Sequence, residues 1–512
     1  VNTLDRNIPD YIEGYGDVRK TGNLFDRSLL KETAGRKVRM YEPGHNKMRE
    51  SIAEVLREID LKDGATVSFH HHLRNGDFVL NLVMSEIEKM GLKDITVAAS
   101  SIFPCHEILV RLIDNGTVTG IKSAYMSGPV ACAVSEGRLK NPAVLMTHGG
   151  RARSIMEGET HIDAAFIAAP GCDRLGNING VTGKAACGAL GYAIADAEYA
   201  DKVVAITDDI VDYPLYPQEI KQNVVDYVVK VDSIGDPKGI VSGTTQVTKD
   251  PVGLKIASDT MKVLAASGLL KEGFSFQTGA GGISLAVAKE LETWMKKNEI
   301  KGSFVSGGIT GYIVNMMEEG LFKALYDVQC FDLEAVRSYR ENRNHLPMSA
   351  DLYGNPHNSG CVTNDLDIVI LGATEVDLNF NVNVTTGSDG RIMGGSGGHA
   401  DTAAGAKLTV IVSKLFSART PLIKDHVTTL TTPGKTVDVI VTERGTAVNP
   451  LRQDLIEQFK KKNLPFMTIE ELKEVSDRFT GNPNPVKTDD KIVAISQYRD
   501  GSVSDVIRKV IK

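Results

Sequence analysis

The chain carries one pattern twice, in the same order, and this limits what it can fold into. "LKDGATVSFHHHLRNGD" from Leu61 resembles "LKEGFSFQTGAGGIS" from Leu270: an acid–glycine turn, a short apolar run, then a special loop entering a helix. "LKDITVAASSIF" from Leu92 matches "IKGSFVSGGITG" from Ile300. The stretch "HIDAAFIAAPGCDRLGNIN" around Asp163 lines up with "DLDIVILGATEVDLNFNVN" around Asp367. "ADKVVAITDD" at Lys202 lies opposite "GAKLTVIVSK" at Lys407, and "VDYVVKVD" at Asp226 opposite "VDVIVTER" at Asp438. Five colinear matches at nearly constant separation imply two homologous domains.

A chain of 512 residues also exceeds what one hydrophobic core usually organises. Residues 1–40 lack apolar periodicity and are expected to form an extended arm on a neighbouring surface. The first domain is assigned to 41–236 and the second to 253–512. Between them, 237–252 is a linker rich in glycine, proline and threonine. Continuously apolar Val/Ile/Ala runs alternate with helical segments such as "MRESIAEVLREI" and "SLAVAKELETWMKK". That pattern predicts two α/β domains with largely parallel sheets, covered on both faces.

Charge and cysteine usage exclude several classes. A net charge of -7 with no basic run argues against a nucleic-acid surface. No apolar run reaches membrane-span length, so no membrane is expected. Six scattered cysteines without a C-x-x-C pair suggest reduced thiols and a cytoplasmic setting. A chain that starts at Val1 is expected to lack its extreme amino end, or to have had it processed.

The second half holds three glycine loops: Gly279 to Gly282, Ser306-Gly307-Gly308, and "GGSGGHAD" from Gly394. Glycine lets backbone amides approach a ligand closely, and amides where a helix begins suit negative charge. Ligands of parallel sheets sit at the carboxyl ends of the strands. Three such loops in one domain are therefore expected to meet over one site in the cleft between the domains.

These motifs resemble the CoA-transferase superfamily. The resemblance rests on "QTGAGG" at Gln277, "ATEVDLNFNVN" before a "GGxGGxxD" loop, and "VTERG" at Val441. Within the superfamily, "HGGRARSIMEGETHIDAAFIAAPGCD" and "GGSGGHADTAAGAKL" are similar to the family of citrate lyase α chains. The resemblance implies two CoA-transferase-like domains that move a carrier thioester from acetate to citrate. A β lyase subunit and a γ acyl carrier subunit would be the partners, in an oligomer. The γ subunit would supply the CoA-like phosphoribosyl-dephospho-CoA arm, so no tightly bound cofactor is expected in this chain. Many relatives in the superfamily use a loop glutamate as a covalent carrier of the thioester. The matching position here, near Gly307, has no carboxylate, and Glu318 and Glu319 read as a solvated helical pair. Transfer through a mixed anhydride without an acyl-enzyme is therefore expected.

Such chemistry needs proximity, exclusion of water and donors for two successive oxyanions. Gly397 and Gly398, with His399, are the expected catalytic group, faced by Gly307 and Gly308. Gly281, Gly282, Ser306 and Ser396 are expected to bind substrate. His399 either donates to substrate or caps locally; Asp401 either orients it or caps the helix. Glu375 either holds the loop or senses substrate, sharing a face with Asp377. Arg391 is the nearest cation to the loop and the first choice for a citrate carboxylate. Arg151 and Arg153 form a second candidate cluster, or else lie on the surface.

The run "HHH" at 70 to 72 invites a metal reading, but alternate residues face opposite ways. At most His70 and His72 could share an ion, and no further ligand follows at the right spacing. No metal is expected; gripping an anion with Arg74 is the alternative. Competing readings are an acyl-CoA hydrolase or a CoA-transferase on free CoA, a sugar-phosphate isomerase, and a non-catalytic scaffold.

Overall fold

A computed structural model describes residues 2–21, 34–241, 246–481 and 486–511. Parts of the expected arm and linker (residues 1, 22–33 and 242–245) lie outside the described residues.

The two halves build the same sheet. In the first, parallel strands run in the order Ala143–Leu145, Val118–Ser123, Ile95–Ala99, Thr66–Phe69, Ala164–Ala169, Lys202–Thr207, Tyr227–Lys230. In the second they run His345–Pro347, Phe322–Cys330, Gly302–Ile309, Phe274–Thr278, Ile368–Leu371, Leu408–Val412, Val439–Thr442. Numbered along the chain, both orders read fourth, third, second, first, fifth, sixth, seventh.

Matched aspartates explain why the repeats share this arrangement. Asp163 accepts from the Thr66 amide at 2.7 Å, and Asp367 from the Ser275 amide at 2.9 Å. Asp226 accepts from Val203 N at 2.8 Å and Asp438 from Thr409 N at 2.7 Å. Each carboxylate satisfies an amide in the first two residues of a neighbouring strand, so the register is fixed twice over.

The stretch "EVDLNFNVN" is a tight hairpin of Glu375–Asp377 against Val382–Asn383 rather than one strand. Asp377 closes its turn, accepting from the amides of Asn379 (2.9 Å) and Asn381 (3.0 Å). Asp173 does the same for Leu175 and Asn177 in the first domain. Asp377 is thus a structural repeat of Asp173.

One boundary needs correction. Residues 488–510, assigned to the second domain, form the hairpin Thr488–Gln497 and Val503–Val510 and extend the first sheet, Ala494 pairing in parallel with Ala143. A sheet edge exposes unpaired amides and carbonyls, and this hairpin covers one. The matching edge of the second sheet is the short strand His345–Pro347, whose proline has no N–H to offer. Residues 2–21 of the arm lie along the same hairpin: Ile8 and Ile12 pack on Ile495, Val503 and Val506, and Arg6 pairs with Asp505, while Arg39 at the arm's other end pairs with Asp226.

A candidate active site between the two sheets

The carboxyl ends of both sheets face one another, and the "GGSGGH" loop joins them. Gly397 N donates to Ala124 O at 3.1 Å, His148 N donates to Gly397 O at 2.8 Å, and Met126 N donates to Gly394 O at 3.2 Å. Ala124 and His148 lie just beyond two strands of the first sheet, so a second-domain loop is docked on first-domain strand ends. Gly397 has φ +51°, the left-handed region that glycine tolerates. Its own amide is consumed by Ala124, which corrects the expectation that Gly397 donates to the reacting carbonyl. Among the described residues, the neighbouring amides of Gly395, Ser396 and Gly398 have no protein acceptor.

Gly398 touches the rest of the site through Tyr353. A Cβ at Gly398 would lie 2.2 Å from the Tyr353 hydroxyl, which accepts from Gln277 Nε2 at 2.7 Å. Gln277 Oε1 in turn accepts from Ser306 Oγ at 2.9 Å, and a Cβ at Gly307 would meet Gln277 Nε2 at 2.8 Å. Gly307 (φ +106°) sits at a register break against Phe322–Cys330, and a Cβ at Gly308 would overlap the Phe331 ring at 2.1 Å. Gly307, Gly308, Gly397 and Gly398 therefore lie around one set of side chains, and Ser306 is a support for Gln277. Gly281 and Gly282 are elsewhere in contact terms: Gly281 is exposed beside Ser284, and Gly282 abuts Gln246 and Thr248. Ser396 Oγ accepts from Ala400 N at 3.3 Å, at the start of the helix His399–Gly405.

His399 holds structure. Its Nε2 lies 2.9 Å from Gly372 O, so that nitrogen carries the proton, and Nδ1 accepts from Thr432 Oγ1 at 2.8 Å. Burial lowers its pKa to about 4, leaving a neutral ring with both nitrogens engaged. Asp401 clamps the domains together, accepting from Thr147 Oγ1 (2.7 Å) and Gly149 N (2.9 Å) at the amino end of the opposing helix His148–Met156. Burial raises its pKa to about 6, against the opposing pull of Arg499 and the donated hydrogen bonds.

The three candidate arginines occupy different settings. Arg391 is partly exposed on its turn, 4.0 Å from Asp389. Arg151 and Arg153 are neither surface groups nor free: Arg151 forks onto Asp196 at 2.8 and 2.7 Å, and Arg153 binds Glu157 and Glu159. Glu375 is buried, bonded to Lys424, Asn383, Ser388 and Thr428. Burial pushes its pKa up, but Lys424 and the hydrogen bonds outweigh that and lower it.

The first domain supplies side chains where the second supplies glycines. His70, His71, His72, His148 and Tyr192 form one cluster of rings, with Tyr192 stacked 4.6 Å from His71 and tilted against His148 at 4.4 Å. Burial lowers the pKa of His70 and of His148 to about 3, with Arg151 adding to the effect, so both rings are neutral. Arg74, at φ +52°, lays its guanidinium between Phe103 (5.5 Å) and Phe331 of the second domain (4.9 Å). Sequence reasoning named His70 and Arg74 but missed His148 and Tyr192; the glycine pair after His148, at a strand end, was the available signal.

Also missed were two separate groups whose ligand atoms lie close together among the described residues: the buried trio of Asp327, Cys330 and His345, and the exposed His161 with the half-buried Asp163 and Asp201. In the trio, Asp327 accepts from Cys330 Sγ and His345 Nε2, both at 3.0 Å.

Two homologous α/β domains meeting across glycine-rich strand ends define a protein of the CoA-transferase fold. Residues 45–510 match the family "Citrate lyase, alpha subunit (CitF)", and the chain belongs to that family. It is 46% identical over 469 residues to the citrate lyase alpha chain of Klebsiella pneumoniae, covering 92% of each chain. Against the Haemophilus influenzae citrate lyase alpha chain it is 48% identical over 464 residues, 91% of this chain and 93% of the other. A crystal structure described as a citrate lyase alpha subunit in complex with citrate, from Streptococcus mutans, superposes with a TM-score of 0.96 at 49% identity and full coverage of both chains. The function that follows is that of the α subunit of the multi-subunit citrate lyase complex, its citrate:acetyl-carrier transferase component. Among the described residues no helix is long and apolar enough to cross a membrane.

Proposed function

We propose that the transfer proceeds by direct attack of citrate on the acetyl-carrier thioester, with no covalent enzyme intermediate. A citrate carboxylate oxygen adds to the acetyl carbonyl, the C–S bond breaks, and the carrier thiolate leaves a mixed anhydride. The thiolate then adds to the citryl carbonyl and acetate departs. Neither nucleophile needs a general base, since carboxylates are ionised near neutrality and the thiolate arises in the first step. The unengaged amides of Gly395, Ser396 and Gly398 would stabilise the two oxyanions. The γ acyl carrier subunit would bring the thioester on its phosphoribosyl-dephospho-CoA arm, and the β subunit would cleave the citryl product, in a cytoplasmic oligomer.

The observation that supports this reading is the state of the carboxylates near the loops. Asp401, Glu375 and Asp327 are each bonded to protein donors on both oxygens. Glu318 and Glu319 pair with Arg337 (2.8 Å) and Lys296 (2.6 Å) on the surface. The test is to incubate the protein with acetyl-CoA alone, treat with borohydride or hydroxylamine, and weigh every Asp- and Glu-containing peptide. All should be unmodified; one carboxylate modified stoichiometrically would overturn the reading.

A further inference from the structure

The first-domain ring cluster carries buried polar atoms that the protein itself does not satisfy. His70 Nε2 accepts from the Ala168 amide at 3.1 Å, so its proton sits on Nδ1, and that atom has no partner among the described residues. Both ring nitrogens of His72 are likewise unpartnered, as are His148 Nδ1 and Arg74 Nη1. His72 is 1% exposed and His70 5%. His71, by contrast, is satisfied, with Nδ1 at 2.6 Å from Ser100 Oγ and Nε2 at 3.3 Å from Ser101 Oγ.

Unpaired buried donors cost free energy unless a ligand engages them, and a shielded guanidinium costs more than a neutral ring. No carboxylate pairs with Arg74 among the described residues. Its left-handed backbone is a second strained feature at the same place, and such strain clusters at binding sites. The cluster reaches both walls of the cleft: His148 Nε2 lies 3.4 Å from where a Gly397 Cβ would stand, and Arg74 stacks on the Phe331 ring beside Gly308.

We propose that His70, His72, His148 and Arg74 form the subsite that holds the carboxylates of citrate, leaving the glycine-lined wall to the thioester. Neutral imidazoles provide N–H donors and Arg74 the positive charge, a combination that fits a compact polycarboxylate and offers nothing to an uncharged acyl chain. The assignment rests on the transfer reading for its place in the reaction, but binding can be tested without turnover.

Titration calorimetry of the full chain with citrate, and separately with acetyl-CoA, should be run on wild type, Arg74→Met and His72→Phe. Methionine retains an apolar stem between the two phenyl rings. Citrate affinity should fall about 10- to 100-fold in Arg74→Met and roughly 3- to 10-fold in His72→Phe. Acetyl-CoA affinity should change less than about threefold. Unchanged citrate affinity, or equal loss for both ligands, overturns the subsite. If either variant fails to fold, nitrogen-labelled histidine resonances of wild type give the answer: citrate should move those of His70, His72 and His148 and spare His399. A shift confined to other histidines contradicts the proposal. Should citrate bind as described while wild type makes no citryl thioester from acetyl-CoA, the subsite stands and the transfer reading falls.

Discussion

The two domains share a strand order and a set of aspartate locks, yet the loops after their first two strands have diverged. The first strand of one domain leads into His70-His71-His72 and Arg74; its counterpart leads into Gly279 to Gly282. The second strand leads into Ser100 and Ser101 in one, and contains Ser306-Gly307-Gly308 in the other. Duplication supplied two equal scaffolds, and the site arose from what each hung on its loops: side-chain donors on one face, bare backbone on the other. Side chains can hold fixed charges, whereas backbone amides can approach a carbonyl that changes shape during reaction.

The glycine face is the more sensitive to change. Gly398→Ala places a methyl against the Tyr353 hydroxyl and displaces the Gln277–Ser306 chain behind it. Its kcat should drop by about 100-fold or more, with the KM for citrate nearly unchanged. Steady-state assays with acetyl-CoA as the carrier surrogate check this, and wild-type turnover would remove that wall from the mechanism.

Asp401 ties the two faces together, and its raised pKa gives the contact a pH signature. A carboxyl whose folded pKa is about 6 rather than 3.8 lends stability below about pH 4 and loses it as pH rises through 6. Asp401→Asn stays neutral, so its stability relative to wild type should improve by on the order of 2 kcal/mol between pH 4 and pH 7. Denaturant melts across that range measure the difference; parallel profiles would contradict the assignment.

The shared scaffold predicts symmetry. Asp163→Ala and Asp367→Ala should each cost about 1–3 kcal/mol of stability, because each removes a carboxylate from an amide at the start of a neighbouring strand. Neither should alter the KM for citrate, and a marked inequality between them would show that the two scaffolds are not energetically alike. The smallest kinetic effect should come from His399→Gln, which loses buried hydrogen bonds and therefore thermal stability. Its pH–rate profile should match wild type; a lost limb would return His399 to the chemistry.

Much of this was legible in the sequence because repetition is a long-range signal. Paired runs around Asp163 and Asp367 fix the strand order of one half from the other. The C-terminal hairpin has no counterpart in the repeat, and its apolar residues do not say which sheet edge they cover. Glycine content singled out the loop that docks on the first domain, but whether an amide is free depends on its neighbour, and Ala124 is far from Gly397 in sequence. Arg74 was visible as a cation near unusual histidines; that His148 joins it depends on the packing of two strand ends. Charge alone misled at Arg151 and Arg153, since an arginine's role is set by whether a carboxylate reaches it first.

Two-substrate initial-rate kinetics test the central claim most directly, because separate faces for citrate and thioester require both to be present before any bond changes. With citrate and acetyl-CoA varied together, double-reciprocal plots should intersect, and Arg74→Met should raise the KM for citrate while leaving that for acetyl-CoA in place. Parallel lines, with acetate released from acetyl-CoA before citrate is added, would contradict it.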